Sequence, residues 1–209
     1  MTPGAWLSLA AVCLLGAMSP GPSLALVLHH TLVHSRRHGM AAGVLHGVGV
    51  GIYAGLTVLG LGALYRHTPA LRDAVSITGA FYLLYLAARA WRGGGRATAL
   101  SPEAAPAGAG SPRRAARDGF AMAFLNPKIA IFFLALFSQF IGPGMGAVPK
   151  ALMAVLAAGI DASWYSLVAL GLSRTGAFAA LRRHAGTVER ASALLLTAVA
   201  LWVLADVLV

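Results

Sequence analysis

Acidic residues are scarce in this chain: six among 209, against sixteen lysines and arginines. Charged residues of both signs make up only 11%, where a soluble domain carries about 25%. That shortage excludes an ordinary soluble surface. Cysteine is nearly absent as well. Cys13 stands alone, so no intramolecular disulfide can form, and it reads as a small buried hydrophobe. Also missing are a phosphate-binding glycine loop and any nucleophile–base motif. ATP-driven transport within this chain, enzyme chemistry and a cofactor are therefore not expected.

What is present is apolar: 58% hydrophobic residues and a mean hydropathy of +0.77. The chain reads as a one-domain, all-α integral membrane protein, with lipid as its surroundings. A net charge of +10 could suit nucleic acid. The basic residues, however, sit between apolar spans, and no nucleic-acid reader motif is found. Nucleic acid is rejected as a partner. The N-terminus lacks a positive n-region, and Pro20 follows the small residues closely. It is read as a retained first helix.

Six transmembrane helices are predicted, at about 6–32, 40–64, 74–91, 120–141, 148–172 and 191–209. A Gly/Ala/Pro/Ser/Arg-rich stretch, 92–117, reads as a polar linker. A basic connection covers 174–190. The loops after spans one, three and five hold Arg36, Arg37, Arg89, Arg92, Arg96, Arg113, Arg114, Arg117, Arg174, Arg182, Arg183 and Arg190. The opposite side holds Arg66, Arg72 and Lys150. Twelve against three places the first set in the cytoplasm and both termini outside. Trp6, Trp91 and Trp202 lie near span ends, as interface anchors do.

The linker divides the chain into a first three-helix half, 1–92, and a second, 118–209, with 93–117 between them. Three spans per half invert the second half relative to the first. Each half opens on a proline-broken helix, with Pro20, Gly21 and Pro22 in one and Pro127 in the other. An offset of 105 aligns Pro22 with Pro127 and Gly39-Met40 with Gly144-Met145. Paired broken helices point to a transporter binding site.

The chemistry gathers at these breaks. Pro20 and Pro22 free carbonyls one turn back. The half-helix after Pro22 offers free N–H groups and a positive dipole end, which suit a carboxylate. A simple kink is the bland alternative. Asn126, Pro127 and Lys128 interrupt the fourth span and add an amide and a cation. An ammonium in mid-span costs about 2.5–3.5 kcal/mol on insertion scales, unless the lysine snorkels to the cytoplasmic interface. Asp161 is the sole acid deep in a span. Trp164 and Tyr165 follow at i+3 and i+4, on the same helical face. This trio could hold an ammonium by charge and cation–π contact, and Asp161 could gain and lose a proton. An ion pair with Lys128, or a hydrogen bond from an uncharged Asp161, is the alternative.

Other residues read as structural. Gly39, Gly43, Gly47, Gly51 and Gly55 clear one face of the second span for close helix packing. His46 and Tyr53 share a face, and a packing role is expected for His46. Gln139 is expected at the membrane interface. His29, His30, His34 and His38 fall at helical spacing near a turn, and a cytoplasmic interface fits them better than a metal site. No metal-ligand cluster is found.

At these residues the chain resembles the LysE/RhtB family of bacterial amino-acid exporters. The matching pieces are Ser19-Pro20-Gly21-Pro22, Gly39-x3-Gly43, Gly79-x2-Tyr82-Leu83 with Trp91, Gly119-Phe120-x4-Leu125-Asn126-Pro127-Lys128, and Gln139-Phe140. Many members carry Asn after Pro-Gly-Pro, whereas this chain has Ser23. The resemblance implies proton-driven export of amino acids or related small zwitterions, a bacterial inner-membrane location and a homodimer. A metal-ion exporter of the same superfamily, a narrow channel and a non-transporting scaffold are the rival readings.

Overall fold

Among the described residues, five helices open on proline, at Pro3, Pro22, Pro69, Pro112 and Pro127. At a first helical position the missing N–H is one that no helix would satisfy anyway. The caps agree with this. Thr2 Oγ1 accepts from Ala5 N at 3.2 Å, and Ser111 Oγ accepts from Arg114 N at 3.2 Å. The resulting elements are α1 (Pro3–Met18), α2 (Pro22–His29) continued by a π turn (His30–His34), α3 (Arg36–His67) and α4 (Pro69–Gly93). They continue as α5 (Pro112–Phe124), α6 (Pro127–Ser138), α7 (Ala147–Gly171) and α8 (Ala177–Leu208). This computed structural model describes residues 1–19, 21–67, 69–93, 111–142, 144–171 and 177–208. Within these it describes all side chains except those of 62–67, 69–72, 93, 127–128, 177–182, 185, 206 and 208. No strand occurs among the described residues.

Among the described residues, four helical stretches are long and apolar enough to cross a membrane: Arg36–Leu61, Asp73–Arg92, Ala147–Gly171 and Gly186–Ala205. Two bent pairs raise the number to six if each is one span. Pro3–Met18 meets Pro22–His34 at 61°, and Pro112–Phe124 meets Ile129–Ser138 at 54°. Two boundaries differ from the sequence expectation. The fourth span is preceded by helix from Pro112, inside the expected linker, because Ser111 and Pro112 supply a start signal. The last helix begins at Ala177 rather than near 191. An apolar window cannot see a helix that runs on into water, where arginine, alanine, leucine and glutamate still favour it.

The outer surface is apolar. Leu7, Leu59, Val148, Val155, Leu167 and Leu194 are all more than 60% exposed, on several faces of the bundle. Contiguous exposure of this kind suits hydrocarbon rather than water. Inside, Leu9, Leu83, Leu136, Phe137 and Met153 centre the main core. A smaller cluster forms around Leu24, Val27 and Leu28 of α2, with Ala42, Ala115, Tyr165 and Ala169.

Helix α3 packs most extensively against α7 and α5, while α4 pairs with α8. Lipid gives apolar helices little reason to associate, so close backbone approach must do the work. A Cβ placed on Gly47 would lie 2.7 Å from Ala162 Cβ and 2.9 Å from Ala158 O of α7. One on Gly43 would lie 2.7 Å from Tyr165 Cβ. Towards α5, a Cβ on Gly49 would meet Ala123 Cβ at 2.8 Å. A Cβ on Gly119 of α5 would overlap the Ala42 carbonyl. Gly55, the last of the row, has open space around it.

Gln139 lies just past the end of α6. It turns inward: Nε2 donates to Ser76 O of α4 at 3.3 Å, to Ala135 O at 3.0 Å and to Ser138 Oγ at 2.7 Å. An interhelical hydrogen bond within a membrane averages about 0.6 kcal/mol. Gln139→Leu is therefore expected to lower thermal stability slightly in detergent, by one to a few degrees on the order of small-domain behaviour, without loss of fold.

Candidate functional site

Asp161 sits at the centre of α7, 7% exposed, and its partner comes from α3. His46, 1% exposed, places Nδ1 2.7 Å from Asp161 Oδ2. A carboxylate so deep is costly unless paired and hydrogen-bonded, and the imidazole supplies both. The pair can hold one or two protons in total. With one, it carries a net negative charge. With two, imidazolium and carboxylate cancel. His46 Nε2 is buried without a hydrogen-bond partner.

Tyr165 follows one turn along α7, 3% exposed. Its ring meets the His46 ring edge-on at 5.0 Å, and its phenol is close enough to the Ser23 side chain to interact with it. Ser23 is the second residue of α2. The chain Asp161, His46, Tyr165, Ser23 thus runs from mid-α7 to the start of the half-helix that follows the first break. Cys13 of α1 lies within electrostatic reach of Asp161. Trp164 packs on the α2 cluster, with its buried Nε1 lacking a hydrogen-bond partner.

The first break is built from extended backbone. Gly21 is the N-cap of α2, with no side-chain cap, and Pro22 is the first helical residue. Ala25 N donates to Gly21 O at 3.0 Å. Pro20 lies outside the described residues. At the second break Leu125 closes α5, and Asn126 O accepts from Ile129 N at 3.1 Å. Pro127 and Lys128 are the first two residues of α6, and their side chains lie outside those described. The two bent spans touch at several points, Ala115 of α5 packing into the α2 cluster among them. A Cβ on Gly16 of α1 would lie 3.3 Å from the Phe132 ring of α6, and His30 of the π turn reaches Asp118 of α5. A cavity of about 340 Å³ lies between α4 and α8, lined by Leu84, Trp91, Arg92 and Thr197 among others. It shares no lining residue with the polar cluster.

His46, Ser23 and Cys13 are the members that sequence reasoning did not assign to the site. A signal for His46 existed. It stands between Gly43 and Gly47, the stretch cleared for a neighbouring helix, and a buried acid needs a donor. Among the described residues no group of three His, Cys, Asp or Glu has metal-binding geometry.

A family profile described as LysE type translocator matches residues 14–206. The chain belongs to this family. Both breaks and every residue of the polar cluster except Cys13 fall well inside the matched region of this LysE type translocator, and Cys13 falls one residue before it. Among its relatives is the threonine efflux protein of Escherichia coli (strain K12), 27% identical over 164 residues, 78% of this chain and 80% of that protein. The threonine efflux protein of Salmonella typhi is 28% identical over 165 residues, 78% and 79% of the two chains. The leucine efflux protein of Enterobacter sp. (strain 638) is 29% identical over 124 residues, 58% and 56%. No solved structure matches.

Proposed function

We propose that this chain is a secondary exporter that moves amino acids or related small zwitterions out of the bacterial cytoplasm in exchange for protons. Its multi-pass fold and efflux relatives support an exporter of the inner membrane. The observation that carries the proton-exchange reading is the buried Asp161–His46 pair, joined through Tyr165 to the start of α2.

The physics is competition for one negative charge. In the singly protonated pair, a substrate ammonium about 4 Å from the carboxylate gains roughly 4 kcal/mol at an effective dielectric of about 20. That is close to a thousandfold in occupancy. A second proton cancels the charge and removes the gain. Proton and ammonium therefore exclude one another, which is what exchange requires. Trp164 and Tyr165 offer aromatic faces to the ammonium. The substrate carboxylate belongs at the N–H groups that open α2 beyond Gly21 and Pro22, with Pro20, Asn126, Pro127 and Lys128 lining the remainder. In this reading the two halves form an inverted repeat broken at the prolines, the arginine-rich loops are cytoplasmic, both termini are outside, and two copies form a homodimer.

The test is efflux from cells loaded with labelled amino acids, one at a time, with and without expression of the protein. Faster efflux of at least one amino acid, abolished by collapsing the pH gradient, is the expected outcome. Efflux of metal ions alone, or ionic currents far above transporter rates, would sink the reading.

A further inference from the structure

The cytoplasmic end of the first bent span carries a second ionisable cluster, separate from the Asp161–His46 pair. After His29 the helix widens into the π turn, closed by Ser35 N donating to His30 O at 3.2 Å. Single π turns inside helices cluster at functional sites. On and beside this one, four imidazoles adjoin in edge-on or tilted contact. Ring centroids are 5.7 Å apart for His29 and His30, 5.7 Å for His30 and His34, and 5.1 Å for His34 and His38. Exposure is graded along the column: His29 and His30 are 5% and 4% exposed, while His34 and His38 are partly exposed. His38 Nδ1 lies 2.8 Å from Ser35 Oγ. At the inner end, His30 Nε2 lies 3.2 Å from Asp118 Oδ2 of α5, at ion-pair distance, while neither ring nitrogen, both buried, makes a hydrogen bond.

We propose that His29, His30, His34 and His38, with Asp118, form a proton-release path and latch at the cytoplasmic end of the transport route. A proton on His30 completes an ion pair that ties the π turn, in the first half of the chain, to α5, in the second. When that proton leaves through His34 and His38, His30 is neutral and the tie is lost. The sign follows: the latch holds at low cytoplasmic pH and releases as pH rises through the imidazole range. Imidazole is the side chain that exchanges protons there.

The ionisable residues on the elements packed against the column, in neighbouring turns, are few in kind. Helix α5 offers Arg113, Arg114, Arg117 and Asp118; α3 offers Arg36, Arg37 and His46; α7 offers Asp161 and Tyr165. Cations outnumber acids at the cytoplasmic end. A second imidazolium about 6 Å from the first is disfavoured by roughly a hundredfold at an effective dielectric of about 20. The column therefore passes one proton at a time.

This inference rests on the proton-exchange reading, and its test needs no substrate. In a Cys13→Ala background, Leu28→Cys places a thiol at a buried position, 1% exposed, beside the column. Leu32→Cys, 47% exposed, is the control for the pH dependence of thiol chemistry. Inside-out vesicles are treated with a membrane-impermeant maleimide. The labelling ratio of Leu28→Cys to Leu32→Cys is expected to rise about tenfold between about pH 6 and pH 8. Adding Asp118→Asn should give a high ratio at both pH values, and Asp118→Glu should restore the response. A flat ratio with Asp118 present, or a response unchanged by Asp118→Asn in protein that elutes as a single folded species, overturns the latch. A pH-dependent ratio alongside a negative efflux screen would sink the exporter reading alone.

Discussion

Export driven by an imposed pH gradient falls to the level of empty vesicles in Asp161→Asn, while folded yield and thermal stability stay close to those of the parent protein. The two halves of this expectation have separate causes. Asparagine keeps an oxygen that can accept from His46 Nδ1–H, now 2.7 Å from Asp161 Oδ2, so the buried imidazole remains partnered. It cannot take up or release a proton, so the alternation between a negative and a neutral pair stops. Asp161→Ala separates the effects. It strands a buried imidazole nitrogen, at a cost of about 1–3 kcal/mol, and should lose stability as well as export. Proteoliposome export and thermal unfolding, measured on the same preparations, distinguish the two variants. Persistence of gradient-driven export in Asp161→Asn removes the carboxylate from the coupling step.

Gly119→Ala is expected to abolish the folded protein, although it adds one methyl group. Alanine is favoured over glycine by about 0.8–1.0 kcal/mol in a helix interior, so propensity alone predicts stabilisation. Space decides otherwise. The new Cβ would overlap the Ala42 carbonyl oxygen, with Ala42 C at 2.7 Å and Cα at 2.8 Å. All three are backbone atoms of a neighbouring helix and cannot swing aside. Helices α3 and α5 must separate along their whole contact, and overpacking of a well-filled interior commonly costs about 1–3 kcal/mol even where side chains can yield. Gly55→Ala is the matched control, because nothing lies within 4 Å of that position. The monodisperse fraction after size exclusion should collapse for Gly119→Ala and hold for Gly55→Ala.

Hydropathy was enough to read an all-helical chain with four to six apolar spans, two of them bent near the polar stretches the sequence singled out. Each of these is a local property: an apolar run, or a missing N–H. The glycine row on α3 was legible as a packing face for the same reason, since spacing of four is visible without a partner. What spacing could not show is which helix fills the cleared face. That it is α7 follows from tertiary packing, and with it comes the pairing of His46 with Asp161 across 115 positions. The sequence reading offered Lys128 as a partner for Asp161. The structure gives that acid to a histidine, and the Lys128 side chain is outside the described residues. The partners of Gln139 were not legible because its distance along the span says nothing about the face it occupies. The start of α8 was missed because its first turns lie beyond the apolar window.

The α3 seam also constrains how such a machine can change shape. Conformational switches commonly work by re-seating side chains from one set of grooves into another. Along Gly43, Gly47, Gly49 and Gly119 there is little room for such re-seating, since a Cβ at each would lie within 3 Å of a Cβ or backbone atom of the neighbouring helix. The seam therefore behaves as a welded rib shared by both halves. In the exporter proposed above, alternating exposure is then expected to come from pieces hung on that rib, with the short α2 beyond Gly21 the first to examine.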